Sequence, residues 1–301
     1  MPNIYQHISK NKRDTVIIMA VFVVIISFIG WFIGEYFYDG IGLPFVGIAM
    51  LISGFSGYFS YYNSDKIVLK ISKATEVSYD QAPDLHNLVD NMSIASGILK
   101  PRIFLIDDTA MNAFATGRDP EHAVICFTTG IVEKLEKREL EGVVAHEMSH
   151  IGNYDIRLMS IVSILVGTLT LISDLFLRGV FRGGRKKSSK SSGQLQLIIF
   201  IIGILLIILS PIISTLIKLA ISRRREYLAD STAALITRYP QGLANALRKL
   251  SLDTEILEAA NGATAHLYIS NPNRAGVLKF MSKLYDTHPP IADRIAKLES
   301  M

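Results

Sequence analysis

Val144-Ala145-His146-Glu147-Met148-Ser149-His150 reads H-E-x-x-H. Residues four apart on an α-helix lie one above the other on the same face. His146 and His150 can therefore turn toward one metal ion, with Glu147 beside them in reach of a water on it. Two ligands and a base are what metal-assisted hydrolysis needs. Residues 134–151 suit a helix: they hold neither Pro nor an internal turn cluster, and Leu135, Leu140, Val143, Val144 and Met148 supply apolar positions. Average residue usage gives this pattern in roughly one chain in a hundred of this length. A third ligand is needed to separate it from a surface helix with two incidental His.

Downstream stands Ser222-Arg223-Arg224-Arg225-Glu226-Tyr227-Leu228-Ala229-Asp230. Glu226 and Asp230 are again four apart and share a helix face. Glu226 completes a His2Glu set that leaves one position of a tetrahedral zinc open. Asp230 is then placed to accept the free ring N–H of a ligand His and fix its tautomer. The other reading makes Glu226 a partner for the arginines before it. Arg225, adjacent in sequence, points elsewhere on a helix, so that reading accounts for the charge less well.

His146-Glu147-x-x-His150 together with Arg225-Glu226-Tyr227-x-Ala229-Asp230 resembles the M48 metallopeptidases and, among them, the bacterial HtpX membrane proteases. Asn112-Ala113-Phe114-Ala115, Thr129-Gly130, Thr287-His288-Pro289-Pro290 and Arg294 extend the resemblance over nearly the whole chain. It implies an α+β, mostly helical, zincin-like metalloprotease domain holding one Zn2+ per chain. It further implies protein substrates, and a role in quality control of misfolded or damaged membrane proteins, often under stress. His288 and Arg294 become candidates for stabilising the tetrahedral oxyanion. Against that, His288 reads equally as a packing residue, and Arg294 reads more readily as a surface or salt-bridged one.

The 301 residues suffice for one domain plus membrane segments. Hydrophobic residues make up 50% and the mean hydropathy is +0.33, high for a soluble protein. A net charge of +4 is no argument for nucleic acid, because the basic clusters (Lys10 to Arg13, Arg182 to Lys190, Arg223 to Arg225) flank apolar runs and suit lipid headgroups. No nucleic-acid partner is expected. The single cysteine, Cys126, lies in an apolar run and reads as a small buried residue.

Residues 16–34 form an apolar run long enough to span a bilayer, and residues 41–62 form a second, whose Gly42, Gly47, Gly54 and Gly57 permit close helix packing. Lys10, Lys12 and Arg13 precede this pair and Lys66, Lys70 and Lys73 follow it, while the loop between carries Glu35 and Asp39. The positive-inside rule then puts both ends of the hairpin in the cytoplasm. Residues 156–177 and 195–217 are the third and fourth of four apolar membrane helices, joined by a basic Gly/Ser/Lys loop. That loop sits against the rule if both helices span. At the helical rise the His ligands lie about 9 Å, and Glu226 about 14 Å, from these apolar ends. The long gap between the ligands is thus a membrane excursion, and the site is expected near the membrane surface. The chain divides into 1–62, a transmembrane hairpin; 63–155, the first part of the catalytic domain; 156–217, the second hairpin; and 218–301, the second part. The expected location is the bacterial inner membrane, with the catalytic domain on the cytoplasmic side.

Residues 84–96 are amphipathic, residues 102–106 and 123–127 read as strands, residues 241–258 as a helix, and His288-Pro289-Pro290 opens a last helix. Asn112, Ala113, Phe114 and Ala115 are either a strand edge for an extended substrate or an ordinary internal turn. His7, His86, His122 and His266 lack a partnered motif and read as surface residues. In the expected mechanism zinc polarises the scissile carbonyl and acidifies its water, and Glu147 moves the proton from that water to the leaving amine. Two competing readings stand beside it. An intramembrane protease disagrees with the polarity around the motif (Glu139, Glu141, Asp155), and a non-enzymatic scaffold with structural zinc leaves Glu147 without a purpose. A prenyl-protein processing role, as in eukaryotic relatives, requires more membrane helices than the sequence offers.

Overall fold

A computed structural model describes residues 4–37, 40–168, 222–260, 264–270 and 289–301. Two helices come first, α1 (Ile4–Phe37) and α2 (Gly42–Ile71). Four apolar membrane helices are expected; among the described residues two are long and apolar enough to cross a membrane, Ile8–Phe32 within α1 and Gly42–Ile71. Their outward side chains (Val16, Leu43, Leu51, Phe55) are exposed and apolar, as a lipid-facing surface requires. The third run is described only through residue 168, helical from 155. The fourth run and the basic loop lie outside the described residues.

Close approach of α1 and α2 uses some of the glycines expected to provide it: a Cβ at Gly42 would stand 2.7 Å from Trp31 Cδ1, and one at Gly57 would lie 3.8 Å from Met19 Cε. Open space surrounds Gly47 and Gly54, whereas a Cβ at Gly30 would stand 2.7 Å from that of Ala49. The second helix also outruns its apolar stretch. Asn63 has non-helical dihedrals (φ −121, ψ 17), and its amide donates to the Phe59 carbonyl at 3.0 Å. Beyond this kink the helix continues past Asp65 and Lys66 to the domain, where Val68 and Leu69 are buried.

The domain is built on a four-stranded sheet in the order β1-β2-β4-β3: β1 (Thr75–Glu76), β2 (Arg102–Ile106), β3 (Ala113–Thr116) and β4 (Val124–Thr128). β2 and β4 run parallel; the other pairs are antiparallel. Strand side chains alternate between faces. Ile103, Ala113, Ala115, Ile125 and Phe127 face one core, with α3 (Pro83–Ser96) and the motif helix. Phe104, Phe114, Val124 and Cys126 face the other, with Val68, Leu69 and Tyr268. Both faces are covered, so β2, β3 and β4 are apolar over most of their length rather than alternating with polar residues, while the short edge strand β1 is polar and exposed. Each fully buried side chain of this size contributes about 1.5–3 kcal/mol. Cys126 is buried, as expected.

Between α3 and the motif helix the chain adds α4 (Thr129–Lys134). The expected helix over 134–151 is interrupted: Leu135 is extended, and α5 (Lys137–Gly152) starts afresh from Glu136. A capping box drives the restart. The Glu136 N–H donates to Glu139 at 2.8 Å, and the Glu136 side chain accepts from the N3 backbone. Residues 155–168 form α6. After the undescribed stretch come α7 (Arg223–Thr237), α8 (Pro240–Leu252) and α9 (Ile291–Glu299). Every residue of α5 from Glu139 to Ile151 is buried, because α3, α7, α8 and β3 surround it. Gly142 permits the α8 approach; a Cβ there would stand 2.6 Å from the Leu243 amide nitrogen.

Candidate metal centre

α5 presents His146, Glu147 and His150, which are 1%, 2% and 4% exposed. The two His Nε2 atoms stand 3.2 Å apart. α7 brings Glu226 opposite them, with Oε1 at 3.5 Å from His150 Nε2 and Oε2 at 3.8 Å from His146 Nε2. These three residues form a buried group whose ligand atoms all lie within 4.8 Å of one another. Both remaining imidazole nitrogens are taken by carboxylates. His146 Nδ1 is 3.0 Å from Asp230 Oδ1, and His150 Nδ1 is 2.9 Å from Asp155 Oδ2.

That arrangement fits a metal ion. With each Nδ1–H donated to a carboxylate, both Nε2 atoms turn inward 3.2 Å apart, where a cation would take the place of the proton that His150 otherwise holds. A tetrahedral ion with bonds of about 2.0–2.1 Å separates its ligand atoms by about 3.4 Å, close to the 3.2 Å between the two Nε2 atoms and the 3.5 Å from His150 Nε2 to Glu226 Oε1. The surroundings suit a cation too: the carboxylates Glu147, Asp155, Glu226 and Asp230 are all buried around the site, with the guanidinium groups of Arg225 and Arg294 beside them.

Burial lifts the Glu147 carboxyl from 4.5 to about 7 against the opposing pull of His150, and the Ala115 N–H donates to it. A group near 7 can both accept and return a proton at neutral pH. Burial pushes His146 down. The same burial acts on His150, but the Asp155 hydrogen bond and the carboxylates of Glu226, Asp155 and Glu147 outweigh it and raise it to about 9. Asp230 resists its burial and is held low by Arg294 and His146.

Arg294, on α9, is fully buried. Its Nε and Nη2 donate to the two Asp230 oxygens at 2.9 and 2.7 Å, and Nη1 lies 3.4 Å from Glu226 Oε2. The guanidinium thus stands behind the ligands, holding the carboxylates. His288 lies outside the described residues. β3 is the edge strand of the sheet, as a substrate strand would need, but its outer side is partly occupied. Ile269 N–H donates to the Ala113 carbonyl at 3.0 Å. The Asn112 amide clamps the same segment, donating to the Ser270 carbonyl at 3.0 Å and accepting from its N–H at 3.3 Å. Ala113, Phe114 and Ala115 are all buried.

Two residues were misjudged or missed on sequence grounds. His266 is 1% exposed rather than on the surface, its Nε2 3.2 Å from Ser163 Oγ on α6. Asp155 holds His150 and went unrecognised. Its signal was a carboxylate one turn beyond the second ligand, masked by the turn at 153–154 that reorients it.

A family model described as Peptidase family M48 matches residues 79–301. A protein described as a Protease HtpX homolog from Dictyoglomus thermophilum is 42% identical over 297 residues, covering 99% of this chain and 94% of that one. A second Protease HtpX homolog, from Ligilactobacillus salivarius, is 41% identical over 299 residues, covering 99% and 100%. Among solved structures, the crystal structure of S. mikatae Ste24p superposes with a TM-score of 0.52 at 21% identity, over 97% of this chain and 67% of that chain, a likeness of fold.

Proposed function

The chain belongs to peptidase family M48, and on that premise we propose that this membrane metalloprotease hydrolyses peptide bonds at a single zinc held by His146, His150 and Glu226, with Glu147 as the base. The observation that carries the assignment is the buried His-His-Glu group with Glu147 next to it on the same helix. Zinc in this site supplies Lewis-acid polarisation of the scissile carbonyl and acidifies a water. The protein's own residues do the rest. Glu147 takes a proton from the attacking water and passes it to the leaving amine. Asp230 and Asp155 keep the two imidazoles in the tautomer that turns Nε2 inward.

Substrates are protein chains, and the two apolar helices support a place for the enzyme in a lipid bilayer. The basic residues on both sides of the first hairpin support a cytoplasm-facing domain in a bacterial inner membrane, with 63–155 and 218–301 forming that domain and 1–62 and 156–217 the membrane hairpins. The HtpX likeness supports quality control of damaged membrane proteins as the task. We assign the β3 edge at Ala113–Ala115 to an extended substrate strand, which pairs by displacing the Ile269 contact. Asn112 clamps the neighbouring segment. The charged residues of α5 itself, Glu139 and Glu141, and its place in the core of the domain disfavour intramembrane cleavage.

Purified in detergent, the wild type should carry one zinc per chain and cleave an unfolded protein such as casein. Removing the metal with 1,10-phenanthroline should abolish cleavage, and stoichiometric zinc should restore it. Cleavage that survives complete metal removal would rule the assignment out.

Zinc affinity should also depend on pH. In the metal-free protein His150 keeps its proton up to about pH 9, and that proton must leave for the ring to become a ligand. Protons therefore compete with zinc, and apparent affinity should rise about tenfold per unit between about pH 7 and 9, then level off. Competition titrations against a chromogenic chelator measure this, and a flat profile would contradict the ligand role of His150.

A further inference from the structure

Asp155 orients His150, and Asp155 is itself held by the first membrane helix. Asn11 lies in α1 and is 4% exposed. Its side-chain amide donates to Asp155 Oδ1 at 2.7 Å and to the Asn153 carbonyl at 2.9 Å. The two amide hydrogens thus serve two purposes: one secures the carboxylate, the other the C-terminal end of α5. Asp155 turns its other oxygen to His150 Nδ1 at 2.9 Å, and Arg225 Nη1 is 3.7 Å from Oδ1.

The contact falls where the backbone needs support. Between α5 and α6 Tyr154 has φ 60, a left-handed conformation that a bulky residue adopts only when its surroundings impose it. That turn swings Asp155 back toward His150 instead of continuing the α5 axis. Outside the turn, Ile18 and Phe22 of α1 are buried against Leu158, Ile161, Val162 and Leu165 of α6, which fixes α1 in register with the junction. Asn11 also precedes the residues that the family model matches.

We propose that Asn11 is a positioning residue of the metal centre: by restraining Asp155 it holds the His150 ring in the orientation that directs Nε2 at the metal, so the first membrane helix is a working part of the site as well as an anchor. This rests on the reading of His150 as a ligand. Displacing the helix would leave all three ligands in the chain yet weaken their hold on the metal. A contact that served folding alone would lower the melting temperature and leave the zinc affinity of the folded protein as it was.

The test uses the full-length chain in detergent, zinc affinity by chelator competition, and the visible absorption of the Co2+-substituted protein as a reporter of ligand geometry. Asp155→Ala should weaken zinc binding about 10–100-fold, as removal of such a partner does elsewhere. Asn11→Leu, close in volume but without a donor, should weaken it about 10-fold, the low end of that range, and shift the Co2+ bands in the same direction. If Asn11 acts through Asp155, adding Asn11→Leu to Asp155→Ala should cost no further affinity. Wild-type affinity and an unshifted spectrum for Asn11→Leu would overturn the proposal, as would an undiminished loss in the Asp155→Ala background. If Asn11→Leu fails to fold, Asn11→Ala takes its place under the same criteria. His150→Ala separates the two levels: loss of tight zinc binding upholds the ligand reading, while retained binding brings down that reading and the inference with it.

Discussion

Glu147→Gln should bind zinc one to one, melt no lower than wild type, and cleave casein about 10²–10⁴-fold more slowly, the span attributed to a positioned acid–base group. Gln keeps the shape of Glu and can still accept the Ala115 N–H, so the local structure has no reason to change. Folding should not suffer either. Burial already raises this carboxyl to about 7, which means the site disfavours its charge, and a neutral isostere relieves that penalty. What the substitution removes is the ability to take a proton from water. Metal content therefore separates the possible roles of Glu147: zinc retained with cleavage lost identifies a base, zinc lost identifies a ligand, and cleavage at the wild-type rate eliminates both.

The sequence carried the ligands because they are paired at helical spacing, and helical spacing is a local property. His146 and His150, and Glu226 and Asp230, needed only the geometry of one helix each. Residues 102–106 and 123–127 were legible as strands for a similar reason, as short apolar runs bounded by turns; the second is displaced by one residue in the structure. The residues that hold the ligands were harder to read. Asp155 reaches His150 because Tyr154 turns the chain, and Tyr is not a residue that announces a positive φ. The break between α4 and α5 depends on Glu136 acting as an N-cap, where Ser, Thr, Asp or Asn is the usual signal. His266 is buried because residues 264–270 run beside β3, a tertiary contact with no periodic trace. The third and fourth apolar runs, which the sequence offers as a second hairpin, lie largely outside the described residues.

Arg294 shows how much such a distant partner contributes, and Arg294→Ala should destabilise the protein by about 3–5 kcal/mol, the cost of breaking a buried ion pair from one side. Whole domains are stable by about 5–15 kcal/mol, so this change consumes much of the margin. The guanidinium is fully buried and grips Asp230 through two hydrogen bonds of 2.7 and 2.9 Å, with Glu226 3.4 Å away. Without it both carboxylates stay buried and lose their nearest permanent cation, and a cavity opens between α7 and α9. Lys should recover only part of the loss, because an ammonium cannot reproduce the two-pronged contact. The penalty comes chiefly from Asp230 left alone, so Asp230→Ala added to Arg294→Ala should cost less than the two single changes summed. Zinc affinity should fall as well, since Asp230 also holds His146 at 3.0 Å. Thermal unfolding in detergent, at one fixed zinc concentration so that metal binding does not shift the comparison, measures the cycle. Strict additivity would mean that Arg294 and Asp230 act independently. An Arg294→Ala protein that unfolds with wild type would mean that the buried charges of this site are balanced by something other than Arg294.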